Sequence, residues 1–157
     1  MARAVRHATG FQEEVDWGLQ WEVAILKRWV DCAPLAATAR GFIKSGSHDP
    51  FDFVVFDEDG TVLCYLEVKR RRTAFSKFGD AIFPRSKRTF ALLVKQKQRI
   101  PVIGVTEYGC GTLVEVSLAK KPAKEGDIQR RDRTHLPPVP HVFYSKAQLT
   151  VLEEGDE

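Results

Sequence analysis

The chain has 157 residues, of which 43% are hydrophobic and 29% charged, with a formal net charge of +3. That length matches one domain of about 100–200 residues, which needs neither a disulfide nor a metal to hold it together. The composition excludes disordered and collagenous chains. No apolar run reaches the roughly 18–20 residues that span a bilayer and residues 1–7 lack signal-peptide character, so a cytoplasmic protein without membrane partners is expected.

In chain order, Phe11, Val15, Gly18, Leu19, Ile25, Leu26 and Trp29 recur at helical spacing and predict a helix over residues 11–30. Glu22 falls near the centre of that apolar face, where an acid is costly unless it is paired, protonated or bound to a cation. Glu14, Trp17 and Trp21 lie on the flank. The two tryptophans, one turn apart, are placed to stack on bases, on a second subunit or in the core. Residues 36–46 read as a short strand and His48, Asp49 and Pro50 as a turn. Residues 51–56 and 61–69 are aromatic and β-branched strands joined by a hairpin turn at 57–60.

Residues 74–84 read as a loop, followed by a helix from about Ser86 to Lys97. Residues 101–106 and 112–118 form the next strand pair, around a turn at 108–111. The stretch 119–140 is rich in Lys, Arg, Asp and Pro and is expected to be a basic loop or spacer. Residues 141–144 read as a strand, and Ser145 and Gln148 as a capping box opening a short helix before an acidic tail. The expected organisation is a core over 1–118, the loop at 119–140, and a 141–157 segment packed on the core within a single domain.

Cys32, Cys64 and Cys110 are odd in number and widely spaced, and the four histidines are scattered, so neither a disulfide framework nor a zinc site is indicated. Charge is distributed unevenly. Residues 67–100 hold eleven lysines and arginines against Glu67 and Asp80, a net +9, whereas 1–66 carry −4 and 101–157 carry −2. A basic third in an otherwise acidic chain suits a polyanion, nucleic acid above all, because each neutralised phosphate releases a counterion. The competing reading is a solvated helix face.

A four-residue turn pairs Phe56 with Thr61 and so Asp52 with Tyr65, and the period-two rule then places Glu67 and Lys69 on the same sheet face as Asp52. By the same parity, residues 49 and 51 fall on the other face, which leaves Asp49 the lesser candidate. Two carboxylates beside an ammonium are what metal-assisted phosphodiester cleavage requires: hard oxygen ligands for Mg²⁺ and a positioned cation. The alternative is a salt-bridge ladder on a solvated hairpin.

The conjunction of Asp52 at the head of one strand, Glu67-Val68-Lys69 ending the next, and Arg70-Arg71-Arg72 straight after resembles the PD-(D/E)xK nuclease superfamily, in its small archaeal Holliday-junction-resolvase-like and phage nuclease branch. The likeness covers about residues 11–118. It implies an α/β, restriction-endonuclease-like core: a central mixed sheet of about five strands flanked by helices, in helix-strand-strand-strand-helix-strand order. It further implies that Asp52, Glu67, the Val68 carbonyl and Glu22 hold Mg²⁺, with Mn²⁺ as substitute, and that Lys69 is the catalytic lysine. Glu14 replaces Glu22 if the helix phase differs, and Ser86 and Lys87 stand where the superfamily often carries a polar or basic residue. The sequence departs from the family name, since Phe51 separates Pro50 from Asp52.

The expected function is a metal-dependent DNA endonuclease acting on branched or structured DNA, as a homodimer and with no organic cofactor. Arg70, Arg71, Arg72, Lys77, Arg85, Lys87 and Arg88 would lie along the phosphate backbone. The alternative function is a nuclease-fold module that binds nucleic acid without cutting it.

Overall fold

A computed structural model describes residues 20–46, 48–129 and 135–156. Helix α1 (Gln20–Cys32) is followed by a 3-10 turn (Pro34–Ala36) and by strands β1 (Gly41–Lys44), β2 (Phe53–Phe56), β3 (Val62–Arg70) and β4 (Ala81–Pro84). Helix α2 (Arg85–Gln98) leads to β5 (Val102–Glu107), β6 (Leu113–Ser117), β7 (Lys124–Ile128) and β8 (Val139–Tyr144). A second 3-10 turn (Lys146–Gln148) precedes β9 (Thr150–Glu153).

Six strands form a mixed sheet in the order β1-β2-β3-β5-β6-β9, and β4, β8 and β7 form a second, three-stranded sheet. Among the described residues only β3 and β5 run parallel in the large sheet, joined by a crossover that contains α2. The general α/β class is therefore as expected, with one strand more in the main sheet than anticipated.

Strand alternation sorts the large sheet into two faces. Phe53, Val55, Cys64, Leu66, Val68, Ile103 and Val105 bury against Val23, Ile25, Leu26 and Trp29 of α1. On the other face Val102, Val114 and Val116 meet Phe83, Ala91, Val94, Val142 and Tyr144 of α2 and the small sheet. Gly104 of β5 makes this second contact possible, because a Cβ there would come within 2.5 Å of Phe83 Cζ and 2.8 Å of a Leu118 methyl. At the far edge Arg28 of α1 ties in β9, pairing with Glu107 at 2.6 Å and Glu153 at 3.1 Å. The indole N–H of fully buried Trp29 donates to Glu115 at 2.7 Å.

Several expectations require correction. Residues 81–84, read as the end of a loop, are β4, whose partner β8 lies far along the chain. Within the expected 119–140 loop, 124–128 form β7, an almost wholly exposed strand paired with β8. The C-terminal segment contributes β9 to the large sheet besides its short helical turn, where the Ser145 N–H donates to Gln148 Oε1 at 3.0 Å. The hairpin register also differs: Val54, not Asp52, faces Tyr65, and Phe56 faces Val62 after a bulge at Val55/Phe56. The part of the expected first helix before residue 20, with Glu14 and Trp17, lies outside the described residues. Among the described residues no helix is long and apolar enough to cross a membrane.

Candidate active site

The site is built where β2 begins and β3 ends. Residues 51 and 52 form a bend, and the chain is pinned there by Ser45, whose N–H donates to the Asp52 carbonyl at 2.8 Å and whose hydroxyl reaches the carbonyls of Phe51 and Asp52. The Asp52 N–H still donates to the Leu66 carbonyl at 2.8 Å, and its side chain then takes the next place in the ladder, with Oδ2 accepting the Val68 N–H at 2.8 Å. A residue's N–H and C=O point to the same side of a strand, so the Val68 carbonyl faces the gap left where β2 has ended.

Glu67 follows on the sheet face that carries α2, opposite Gly104, and is 2% exposed. Its Oε1 lies 3.1 Å from Lys69 Nζ and its Oε2 3.1 Å from Lys87 Nζ. Neither Glu67 Oε2 nor Glu22 Oε2, both buried, has a partner in hydrogen-bond geometry, although each sits within ion-pair distance of a lysine. Burial first, and the nearby Asp52 charge second, push the Glu67 carboxyl above its ordinary range, against the opposing pull of Lys69 and Lys87.

Lys87 arrives on α2. One helical turn further on, Phe90 stacks on Phe51 with centroids 5.6 Å apart and meets the edge of Tyr65 at 5.8 Å, while Phe51 lies 4.6 Å from Tyr65. This aromatic trio fixes α2 against the hairpin, and Lys87 Nζ also donates to the Pro50 carbonyl at 3.2 Å. Phe51 thus shares the Glu67 face that strict alternation denies it, because the bend at 51–52 ends the strand's two-residue period.

Glu22 approaches from α1 on the other side of the sheet edge, with Lys44 between it and Asp52. Lys44 Nζ lies 3.1 Å from Glu22 Oε2, 3.6 Å from Asp52 Oδ1 and 5.0 Å from the Phe53 ring centre. Among the described residues, no three His, Cys, Asp or Glu side chains group closely enough to hold a metal ion. Instead, Lys44 lies between Glu22 and Asp52, and Lys69 and Lys87 flank Glu67.

The hairpin therefore brings together Asp52, Glu67 and Lys69, and α1 brings Glu22 to their edge. No family model, curated protein or solved structure matches this chain. Asp49 stands apart, closing its own turn by accepting the Gly46 N–H at 2.7 Å. Lys44 is the residue that sequence reasoning missed. Its signal was its position two residues after Phe42, which the period-two rule puts on the core-facing side of β1, where a lysine requires an acid.

The basic residues sort into two groups. Arg70, Arg72, Lys77 and Arg85 are exposed. Arg71 lies over the Tyr108 ring and donates to the Asp80 carbonyl, and Arg88 Nε donates to the Lys120 carbonyl at 3.3 Å. Lys87, expected on the phosphate backbone, sits on Glu67. Burial pushes the Cys64 thiol up to about 12, so it is not a nucleophile at neutral pH.

Proposed function

We propose that this protein is a metal-dependent nuclease that hydrolyses DNA phosphodiester bonds, an endonuclease acting on branched or otherwise structured DNA. The observation that carries the reading is the buried Glu67 with a lysine on each oxygen and the Asp52 carboxylate beside it, on the strand that runs directly into Arg70 and Arg72. The succession α1, β1, β2, β3, α2, β5, with β3 parallel to β5, is similar to the restriction-endonuclease-like core, although β4 intervenes. In keeping with the PD-(D/E)xK resemblance, the protein is expected to act as a homodimer.

Asp52, Glu67 and the Val68 carbonyl supply hard oxygen donors that suit Mg²⁺ or Mn²⁺, and the hydrogen-bond-deficient Glu67 Oε2 is one that a cation would satisfy. When bound, the ion polarises the phosphate and lowers the pKa of water. The protein's own contribution is positional. Asp52 is fixed by the Val68 N–H, Lys69 is half-exposed at the mouth of the site and aligned by Glu67, and Lys87 adds a second positive charge on Glu67. Exposed Arg70, Arg72, Lys77 and Arg85 hold the duplex backbone without reading sequence.

A second reading, a nuclease-fold module that binds without cutting, is favoured by one observation: each carboxylate already has a lysine partner within the protein. A labelled panel of four-way junction, flap, single-stranded and linear duplex DNA, incubated with Mg²⁺, Mn²⁺ or chelator, separates the two. Metal-dependent cutting is expected, and Lys69→Ala should lower its rate by about 10²–10⁴-fold with binding retained. Salt-sensitive binding with no cutting of any substrate would favour the second reading.

A further inference from the structure

Asp52 divides its two oxygens between two positions. Oδ2 faces β3, where it accepts the Val68 N–H and neighbours Glu67, and Oδ1 faces the Lys44 ammonium, which Glu22 holds from the opposite side. A shared carboxylate with one cation position on either side is the donor arrangement of a two-metal site, in which the ions stand about 3.5–4 Å apart. Here one of the two positions holds an ammonium of the protein itself. Lys44 has only 18% of its side chain exposed and is held on three sides, by Glu22, by Asp52 and by the Phe53 ring. Between Asp52 and Glu67 neither neighbouring ammonium bridges the two acids. Lys69 and Lys87 bind the Glu67 oxygens, and no ion pair joins either to Asp52.

Building on the nuclease reading, we propose that the site takes a single divalent cation, between Asp52 and Glu67, and that the Lys44 ammonium fills the second cation position between Glu22 and Asp52. Glu22 is then a positioning residue that acts on Asp52 through Lys44. The ammonium compensates the charge of Asp52 Oδ1 and leaves Oδ2 to the metal side.

The test is the stoichiometry of Mn²⁺ binding to the full chain, by calorimetric titration and by the paramagnetic signal of free Mn²⁺. The wild type should bind one ion. Lys44→Met should bind two, and adding Glu22→Gln to it should return the count to one. Glu22→Gln alone, which does not depend on Lys44→Met folding, should still bind one ion, with its affinity lowered by no more than the roughly 10–100-fold that an outer positioning residue costs. Two ions on the wild type, or one on Lys44→Met, would overturn the assignment while leaving the nuclease reading intact. Loss of the bound ion from Glu22→Gln alone would make Glu22 a direct ligand and overturn it likewise, since a residue acting through Lys44 costs about 10–100-fold at most. No Mn²⁺ bound by any variant would overturn both the assignment and the metal dependence beneath it.

Discussion

Glu67 combines a demanding environment with a strained charge state. It is almost fully buried on a strand, and burial together with Asp52 raises its pKa more than Lys69 and Lys87 depress it. The folded protein thus binds this proton more tightly than the unfolded chain does. Between the ordinary carboxylate value and the raised one, stability falls as pH rises, and the loss is complete above the raised value. Glu67→Gln removes the ionisation. Thermal melts should show the variant as stable as the wild type or more so at pH 8, with that advantage vanishing below about pH 4, where both forms are neutral. Cleavage should be lost at every pH. A melting temperature lower than wild type at pH 8 would mean that the two lysines more than offset the burial. Glu67 and Lys69 are legible together in the sequence, since both sit on one regular strand. Alternation puts Asp52 on their face but does not give its fixed position there: at the bend its carboxylate takes the place of a backbone acceptor for the Val68 N–H.

At the level of elements, the strands that read clearly were those whose own residues carry the signal. Phe53, Val55, Cys64, Leu66 and Val68 read clearly because they form one apolar face buried against α1. The 124–128 strand, Lys-Glu-Gly-Asp-Ile, has no such pattern; its place comes from pairing with β8, information that lies in another part of the chain. The same holds for β4, which is short and ends in Pro84. The turn pairs Phe56 with Val62 in place of Thr61 and a bulge at Val55/Phe56 moves the register one residue further, and the expected neighbourhood of Asp52 and Glu67 survives because the two shifts together preserve parity. At Gly104 the large sheet packs tightly against Phe83 of the small sheet and against Leu118. Gly104→Ala should destabilise the fold by about 1–3 kcal/mol through overpacking against Phe83 and Leu118, as read from urea unfolding. It should also weaken activity, since Gly104 pairs with Glu67.

Across the whole molecule, the basic third of the sequence resolves into a surface and a set of internal ties. Composition gave the sum of charge but could not separate exposed Arg72, Lys77 and Arg85 from Arg71 and Arg88, which hold loops and strands together. Replacing Arg72, Lys77 and Arg85 by Ala should weaken DNA binding and reduce the slope of log affinity against log salt by about 0.9 for each phosphate that is no longer neutralised. Replacing Arg71 should lower the melting temperature with a smaller effect on that slope. An unchanged slope in the triple variant would remove these residues from the DNA interface.

The parallel pairing of β3 with β5 also orders events in time. Strands β1, β2 and β3 follow one another as antiparallel neighbours and close over short loops, whereas β5 must wait for the crossover, β4 for β8, and β6 for β9. Pairings distant in sequence form slowly. The hairpin is therefore expected to set Asp52 beside Glu67 before α2 delivers Lys87. During that interval two like charges face each other with less compensation than in the finished protein, and refolding should run faster in mild acid, where one of them carries a proton.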